Sequence, residues 1–396
     1  MSHLLIITSH YPPDQSAGAF RMNALVQALQ SKAKKINKIT VLTGAPSRVK
    51  VDRVQKIEGS VSSNIQVIRV KMLQIHGKKY IEIINFLYFS IYVFLFCIFS
   101  RADTVFCTTS KFFTSFVSTL GCRVCGKKLI IDVRDLFSDT IQSLYQLDNK
   151  SKVIKVLNLL EKFTYKYAAG IIVVSPIFKA HIVRVAEINN AVFIPNGIDK
   201  EFVFTDKLKK HQRKEVINIT YAGNLGEAQG IDLLFPELLK NLPNQYKFNI
   251  YGQGARVGNL KKNCTEFDSD RIQISAPVNR EELTKIYIKA DILFLCLKPL
   301  PAFEKVIPSK VFEFGASRKP IVAVVSGETA NFMNQEMSGV TITGFDPKEI
   351  ADAIMKIDID VSYDREAFKQ KFSRDYLMSQ MVTFIESKIG KTDVSH

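Results

Sequence analysis

The segment Phe303–Pro320 combines residue types that can bind a phosphorylated ligand. Pro308 and Ser309 favour the start of a helix, so a short helix is predicted here with Ser309 as its N-cap. The free amides of its first turn, together with the Lys310 ammonium, would form a site for an anion such as a diphosphate. Glu313 lies on the same face, where its carboxylate could accept hydrogen bonds from ribose hydroxyls. The alternative is that Glu313 is an exposed helix residue paired with Lys310.

The elements around this segment predict an α/β unit. Apolar runs at Ile292–Leu297 and Ile321–Val325 flank it and favour a strand, loop, helix and return strand. Three further predicted strands precede it, at Val216–Ala222, Phe248–Tyr251 and Ile272–Ser275. The turn that follows the first of these strands contains Gly223, Asn224, Gly226 and Gln229. Glycines let a turn bring backbone amides close to a phosphate, so we predict that this turn binds the same ligand as Lys310.

The first half of the chain predicts a second α/β layer. Its predicted strands are Leu4–Thr8, Ile39–Leu42, Ile65–Val70, Asp103–Cys107, Leu129–Val133 and Ile171–Val174. Gly18 lies in a small-residue loop after the first strand, before a helix predicted to start near Arg21. Arg134, Asp135 and Asp139 follow the fifth strand, and open α/β sheets bind ligands where parallel strands end. The alternative for this charged group is an Arg–Asp pair that holds a loop.

An apolar segment, Ile83–Phe99, interrupts this pattern. It has 17 residues, and only Asn85 and Ser90 are polar. A transmembrane helix needs about 20 apolar residues, so this segment is short for a span. Basic residues flank both of its ends, so the charge distribution does not favour either orientation across a membrane. We therefore favour contact with a membrane surface or burial in the core over a true span.

Composition supports two intracellular domains without a metal. The chain has 396 residues, of which 46% are hydrophobic, and its divisions are predicted at 1–199, 200–362 and a helical tail, 363–396. The six cysteines are scattered, which favours reduced thiols in the cytoplasm, and no signal peptide is predicted. Cys122 and Cys125 form a lone pair at Cys-x-x-Cys spacing, without a second pair or a nearby histidine. No Asp-x-Asp suited to a metal-bridged diphosphate occurs either.

The net charge of +16 lies almost entirely in the first half. Residues 1–200 contain 27 Lys and Arg against 12 Asp and Glu. Such a basic region could meet anionic lipid, a phosphorylated substrate or nucleic acid. The basic residues are dispersed and no nucleic-acid-binding motif is present, so we do not expect a nucleic-acid partner.

In their order, these segments resemble the retaining GT-B glycosyltransferases of family GT4. Glu313 matches the second glutamate of that family's acidic motif; Lys305 occupies the position of the first, with Glu304 one residue earlier. The Pro-Ser-Lys tripeptide at 308–310 resembles a subgroup that builds bacterial surface polysaccharides. The run from Asp132 to Asp139 resembles the DxRDLWP stretch of the same transferases. Pro195–Asp199 matches the PNGxD element. Gly252 and Gly254 resemble the family's GxG turn, and Ala276, Pro277 and Val278 resemble its base-contacting loop, which implies that both loops bind the donor nucleotide.

This resemblance implies an α/β fold of the GT-B class, with two doubly wound Rossmann-like domains facing each other across a cleft and a C-terminal helix that crosses back. It implies transfer, with retention of configuration, of a hexosyl or N-acetylhexosaminyl group from a nucleotide sugar, UDP rather than GDP. The acceptor would be a lipid-linked (polyprenyl diphosphate) or other saccharide in O-antigen or capsule synthesis. The enzyme would need no metal or cofactor and would lie against the anionic inner face of the cell membrane.

The resemblance also implies roles for individual residues. Glu304 and Lys305 would lie near the donor sugar, and Asp135 and Asp139 would orient or deprotonate the acceptor hydroxyl. Family members commonly carry Arg and Lys at the positions of Asn224 and Gln229. Because both are uncharged here, phosphate binding would depend on backbone amides and Lys310.

Two other functions remain open at this point. A nucleotide-sugar 2-epimerase with the GT-B fold would share the architecture. A non-catalytic membrane-docking partner would account for the basic half and the apolar helix.

Overall fold

The computed structural model describes residues 2–45, 64–71, 79–109, 112–148, 150–203, 215–268 and 270–389. The chain divides into two compact units. Unit 1 contains Met1–Asn196 and Asp375–His396, and unit 2 contains Gly197–Arg374. The polar segment predicted between the second and third strands and most of the predicted linker lie outside the described residues.

Unit 1 is built on a seven-stranded parallel sheet with the order β3-β2-β1-β4-β5-β6-β7. Its strands are β1 Ser2–Thr8, β2 Ile36–Gly44, β3 Ile65–Val70, β4 Thr104–Thr108, β5 Lys128–Val133, β6 Gly170–Val173 and β7 Ala191–Phe193. Its first helices are α1 Ala17–Lys32, α2 Lys79–Phe99, α3 Phe112–Cys125, α4 Phe137–Tyr145, α5 Lys152–Tyr167 and α6 Pro176–Ala186. The strand order reverses between β1 and β4, which is where such sheets open a ligand crevice at their carboxyl edge.

Unit 2 repeats this architecture with a six-stranded parallel sheet in the order β10-β9-β8-β11-β12-β13. Its strands are β8 Ile217–Asn224, β9 Tyr246–Gln253, β10 Ile272–Ser275, β11 Ile292–Cys296, β12 Ile321–Val324 and β13 Val340–Thr343. Its helices are α7 Ile231–Asn241, α8 Val257–Asn263, α9 Arg280–Lys289, α10 Ser309–Gly315, α11 Gly327–Glu336, α12 Pro347–Met355 and α13 Glu366–Lys371. The strand order reverses between β8 and β11, so the loops after these two strands flank the second crevice.

The last helix, α14 Arg374–Ile389, packs into the core of unit 1. Leu377, Met381 and Ile385 lie in the same buried apolar cluster as Leu4 and Ile6 of β1. The predicted tail is thus two separate parts, since α13 belongs to unit 2 and nearly all of α14 to unit 1.

One predicted helix start and one predicted N-cap are wrong. Helix α1 begins at Ala17, because the Ser16 hydroxyl caps it by accepting from the Ala19 amide at 3.2 Å, so Gly18 lies in the first helical turn and not in a loop. Helix α10 has Pro308 as its N-cap, without a side-chain cap, and Ser309 is its first helical residue. Pro308 presets the backbone for this start, which leaves the Ser309 hydroxyl no capping position.

The first and last residues of unit 2 lie side by side. The Ile198 amide donates to the Phe372 carbonyl, and the Arg374 amide donates to the Ile198 carbonyl, each at 2.8 Å. The Asp199 carboxylate accepts from Arg374 Nε at 2.8 Å and pairs with Arg280 Nη1 at 2.5 Å. Unit 2 therefore includes residues 197–199 and 363–374, which lie outside the range predicted for it.

Helix α2 has one buried face and one exposed face. Phe89, Val93 and Cys97 are buried, and α2 approaches α3 closely where Cys97 meets Gly121. A Cβ atom at Gly121 would lie 2.6 Å from the Cys97 Cβ, so this contact requires glycine. Within the described part of the chain, no helix combines the length and apolar character that a bilayer crossing requires.

Candidate functional site

The turn after β8 brings together three predicted ligand-binding residues. Gln229 Oε1 accepts hydrogen bonds from the Gly226 amide and from Asn224 Nδ2, each at 3.2 Å. Gly223 precedes this turn in β8. The side chain of Gln229 therefore shapes the loop and engages the amide that we expected to face a phosphate.

Gly252 and Gly254 are needed for packing between two loops. A Cβ atom at Gly252 would lie 2.0 Å from the Gly223 carbonyl oxygen, and one at Gly254 would lie 2.3 Å from the Leu225 carbonyl oxygen. The Leu225 amide donates to the Gln253 carbonyl at 2.9 Å, which joins the loops directly. These glycines thus place the β8 turn by allowing backbone to meet backbone.

Two cations that the sequence analysis missed lie beside the β8 turn. The Glu227 carboxylate accepts from Lys298 Nζ at 2.9 Å and pairs closely with Arg256. Hydrogen bonds from Lys298 and Arg256 lower the pKa of Glu227. Both cations follow the carboxyl ends of strands, Arg256 after β9 and Lys298 after β11. Their positions after predicted strands could have identified them from the sequence. They supply positive charge beside a turn where Asn224 and Gln229 carry none.

The predicted Lys310–Glu313 pair forms and includes a third residue. Lys310 Nζ donates to Glu313 Oε2 at 2.7 Å and to the Tyr287 hydroxyl at 3.2 Å. The Tyr287 hydroxyl donates to the same carboxylate oxygen at 3.1 Å. Burial, and then the Glu313 charge, raise the pKa of Tyr287 far above its usual value, so this hydroxyl remains a donor. Glu313 is 9% exposed, so the alternative of an exposed helix residue is wrong.

Glu304 and Lys305 lie in the turn before α10, and Glu304 is fixed by the start of α11. Its Oε1 accepts from the Ser326 hydroxyl at 3.1 Å, and its carbonyl accepts from the Glu328 amide at 2.6 Å. Gly327 has a φ of +61°, and a Cβ there would lie 2.3 Å from the Glu304 carbonyl oxygen. Lys305 is half-buried in the same turn.

The predicted base-contacting loop follows β10. Ala276 and Pro277 are exposed and Val278 is half-buried. The loop ends at Asn279, whose Oδ1 caps α9 by accepting from the Glu282 amide at 2.9 Å. The cap fixes where the loop ends and leaves its apolar residues accessible to a planar base.

In unit 1, Gly18 and Arg134 come together. A Cβ at Gly18 would lie 3.8 Å from Arg134 Nη1, and the Arg134 amide donates to Thr109 Oγ1 at 2.9 Å. Asp135 is exposed, yet neighbouring protein atoms raise the pKa of its carboxyl, and Arg134 opposes this effect. A raised pKa makes a carboxylate a stronger base, which suits a group that accepts a proton.

Asp139 instead lies in a separate cluster built around a buried glutamate. Its Oδ2 is 3.8 Å from His181 Nδ1, and both residues line a cavity of about 290 Å³. The fully buried Glu161 carboxylate accepts from the Ser138 amide at 3.0 Å and hydroxyl at 2.9 Å, and lies 3.1 Å from His181 Nε2. Glu161 thereby fixes the start of α4, a role that its position inside α5 does not reveal.

A second buried carboxylate, Asp132, is engaged by Arg21. Arg21 is fully buried and donates to Asp132 from Nε at 3.2 Å and from Nη2 at 2.9 Å. Its remaining donors reach the carbonyls of Ile194 and Pro195. This arginine ties α1, β5 and the predicted PNGxD element together. Among the described residues, no group of three or more His, Cys, Asp or Glu is placed to hold a metal ion.

Comparison with known proteins shows what unit 2 and the whole chain are similar to. Residues 217–358 match the model of the family "Glycosyl transferases group 1". Unit 2 contains a glycosyl transferases group 1 domain. The chain is also 23% identical over 312 residues to the probable glycosyltransferase WbjE of Pseudomonas aeruginosa, covering 74% of this chain and 77% of that protein. The resemblance to GT4 glycosyltransferases of the surface-polysaccharide type is thus confirmed.

Solved structures establish the fold. Anabaena Alr3699/HepE, in complex with UDP and glucose, matches with a TM-score of 0.70 and 15% identity over 98% of this chain and 100% of that chain. A Listeria monocytogenes protein proposed to be a UDP-N-acetylglucosamine 2-epimerase matches with a TM-score of 0.59 and 12% identity over 99% of this chain and 97% of that chain. The predicted GT-B class is confirmed, and because a proposed epimerase also has this fold, the fold alone does not select the reaction.

Proposed function

We propose that the protein transfers a hexosyl or N-acetylhexosaminyl group, with retention of configuration, from a nucleotide sugar to a lipid-linked or saccharide hydroxyl in bacterial surface-polysaccharide synthesis. The observation that carries this proposal is the Lys310–Glu313–Tyr287 cluster, which lies within the glycosyl transferases group 1 domain at the start of α10. UDP is the favoured nucleotide, since a structural relative is known in complex with UDP.

In this proposal the donor is held by unit 2. The Lys310 ammonium and the first amides of α10 face the diphosphate, and Glu313 accepts a hydrogen bond from a ribose hydroxyl while Tyr287 fixes its carboxylate. Arg256 and Lys298 add positive potential beside the β8 turn. These fixed charges stabilise the departing diphosphate, a task that a divalent metal performs in other enzymes, so we propose that no metal is required.

The acceptor is held by unit 1. Its hydroxyl oxygen bonds to the anomeric carbon as the bond from that carbon to the diphosphate oxygen breaks on the same face of the sugar. The hydroxyl proton leaves to the departing phosphate or to Asp135, whose carboxyl has a raised pKa. Arg134, next to Gly18, would pair with the diphosphate of a polyprenyl-linked acceptor. Such an acceptor places the protein at the inner face of the cell membrane.

The reaction is tested by incubating the protein with UDP-sugars and GDP-sugars, with and without a polyprenyl diphosphate saccharide. We expect NMR of the product to show a new glycosidic linkage with the same anomeric configuration as the donor sugar. We also expect turnover to be undiminished in EDTA. Formation of a free epimerised nucleotide sugar without any acceptor would instead identify an epimerase. Failure to bind any nucleotide would favour a non-catalytic protein.

Glu313→Ala tests the donor site directly. Loss of one charge-assisted hydrogen bond should weaken UDP binding by roughly 1.5–3 kcal/mol in calorimetry. The matched control is Glu366→Ala, which removes a second Lys–Glu pair with three-residue spacing and the same 2.7 Å separation, on α13. Equal UDP affinity of Glu313→Ala and the wild type, with the fold intact, would remove Glu313 from the site.

A further inference from the structure

Helix α2 presents a continuous apolar stripe to solvent. Six of its side chains are 42–77% accessible, and each has another of the six three or four residues away: Ile84, Leu87, Tyr88, Ile91, Leu95 and Phe99. With 3.6 residues per turn, this spacing places them on one face, about 22 Å long. Monomeric proteins rarely leave such a stripe exposed unless it contacts a partner or a membrane.

The stripe belongs to a helix that is firmly attached to unit 1. Phe89, Val93 and Cys97 are buried on its opposite face, and Gly121 lets α3 approach it closely. Phe86 also packs edge-on against Phe113 of α3, with ring centroids 6.2 Å apart. Helix α2 is therefore packed against unit 1 through one face, and the stripe is its other face, which remains exposed.

Helix α5 contacts α3, as α2 does. It has an exposed face that is both apolar and basic. Val153, Val156 and Leu159 are 53–66% exposed. The neighbouring Lys152 and Lys155 are also exposed. This combination of aliphatic side chains and lysines is typical of helices that lie in a lipid interface.

We propose that the exposed faces of α2 and α5 form one docking surface for a bilayer that contains anionic lipid. The apolar stripe of α2 enters the boundary between headgroups and acyl chains, and the α5 lysines remain among the headgroups. The charge of residues 1–200, with 27 basic and 12 acidic side chains, selects this occupant. A second copy of the chain would bring two such basic regions together and be repelled, whereas anionic lipid attracts them.

This surface rests on the membrane association proposed above, but it depends on neither the donor nor the reaction. The burial of each α2 side chain decides which substitutions can test it. Leu87 lies in the exposed stripe, whereas Phe89 is in the core and Phe94 and Phe96 are half-buried. Replacing the phenylalanines would test folding, so the informative substitutions are at Leu87, Ile91 and Leu95.

The experiment is flotation of the full chain with vesicles of phosphatidylethanolamine and phosphatidylglycerol. The triple variant Leu87→Ser, Ile91→Ser, Leu95→Ser should bind at least about a hundredfold more weakly than the wild type. The reason is that the variant lacks three apolar side chains whose transfer from water into the bilayer favours binding. The matched control, Leu233→Ser, Ile288→Ser, Met355→Ser, removes three exposed apolar side chains from unit 2 and should bind as the wild type does.

A charge variant tests the second helix. Lys152→Glu with Lys155→Glu should lower binding about tenfold or more in low salt and reduce its dependence on salt. Lys261→Glu with Lys262→Glu, exposed on α8, is the control and should change little. Both variant sets are compared by circular dichroism, so that a loss of binding without a loss of fold is assigned to the surface.

Three results would overturn the proposal: no flotation of the wild type, equal flotation of the α2 triple variant, or a wild-type dimer that the triple variant dissociates. The last result would assign the stripe to self-association. UDP affinity of the same preparations is measured in parallel. Retained UDP binding with no flotation rejects the docking surface alone, and flotation without UDP binding rejects the proposed function alone.

Discussion

The carboxyl edges of the two sheets are held in different ways. In unit 1, buried charges fix the loops: Arg21 engages Asp132, and Glu161 engages Ser138. In unit 2, the turns after β8 and β9 meet backbone to backbone, which requires Gly252 and Gly254. These charged groups of unit 1 are buried in their contacts, whereas Lys298 and Arg256 of unit 2 pair with Glu227 beside the β8 turn, nearer the surface. The comparison indicates that unit 1 tolerates loss of charge poorly and unit 2 tolerates added volume poorly.

The largest effect should come from Arg21→Met. It leaves the Asp132 carboxylate buried without its partner and should lower the free energy of unfolding of unit 1 by about 3–5 kcal/mol. Denaturant unfolding, followed by a probe in unit 1, measures it. The control is Lys32→Met, which breaks an exposed pair with Asp375 and should cost less than about 1 kcal/mol. Equal costs for the two variants would contradict the claim that unit 1 depends on buried charge.

Asp199→Asn tests whether an ion pair also stabilises unit 2, at the place where its first and last residues lie side by side. Burial raises the pKa of Asp199, but Arg374 and then Arg280 outweigh it, so the net pKa lies below its usual value. Its stabilisation is therefore present above about pH 4 and is lost as the pH falls through the folded-state pKa.

We expect Asp199→Asn to cost about 1.5–3 kcal/mol at pH 7 and the difference from wild type to shrink below about pH 4. Unfolding measured between pH 3 and 8 checks both values. The control, Glu187→Gln, removes an exposed carboxylate whose pKa Lys162 and Lys166 lower, and should have little effect. A difference that stays constant down to pH 3 would argue against an ionic role for Asp199.

The smallest effect should come from Gly252→Ala, at about 1–3 kcal/mol, because the added methyl group forces the β8 and β9 turns apart. UDP affinity should fall with it, since the β8 turn shifts. Gly258→Ala is the control: its Cβ would meet nothing within 4 Å, and it lies in α8, so it should be neutral or slightly stabilising. Thermal unfolding and calorimetry on both variants decide whether added volume is the cause.

The sequence predicts what is local in the chain. Strands such as β1 and β11 are recognisable because both of their faces are buried, which produces continuous apolar runs. The Lys310–Glu313 pair is predictable because its members are three residues apart on one helix. The first turn of α1 was missed because Ala17-Gly18-Ala19 has no helical pattern, although Ser16 was available as a capping signal.

Contacts between distant parts of the chain could not be predicted in this way. Arg21 and Asp132 are 111 residues apart, and Tyr287 lies 26 residues before Glu313. Nothing in the local sequence of α5 indicates that Glu161 caps α4. The PNGxD element was recognised by resemblance, yet the partners of its aspartate, Arg280 and Arg374, follow only from the folded structure.

The pairing of Ile198 with residues 372–374 makes unit 2 an insertion whose two ends are already adjacent. A gene in which a short linker joins residue 196 to residue 375 would encode unit 1 as an uninterrupted chain, and residues 197–374 could be expressed alone or as a circular permutant. The same adjacency provides a position at which unit 2 could be exchanged between relatives, because an inserted module with paired ends would leave the hydrogen-bonded junction unchanged.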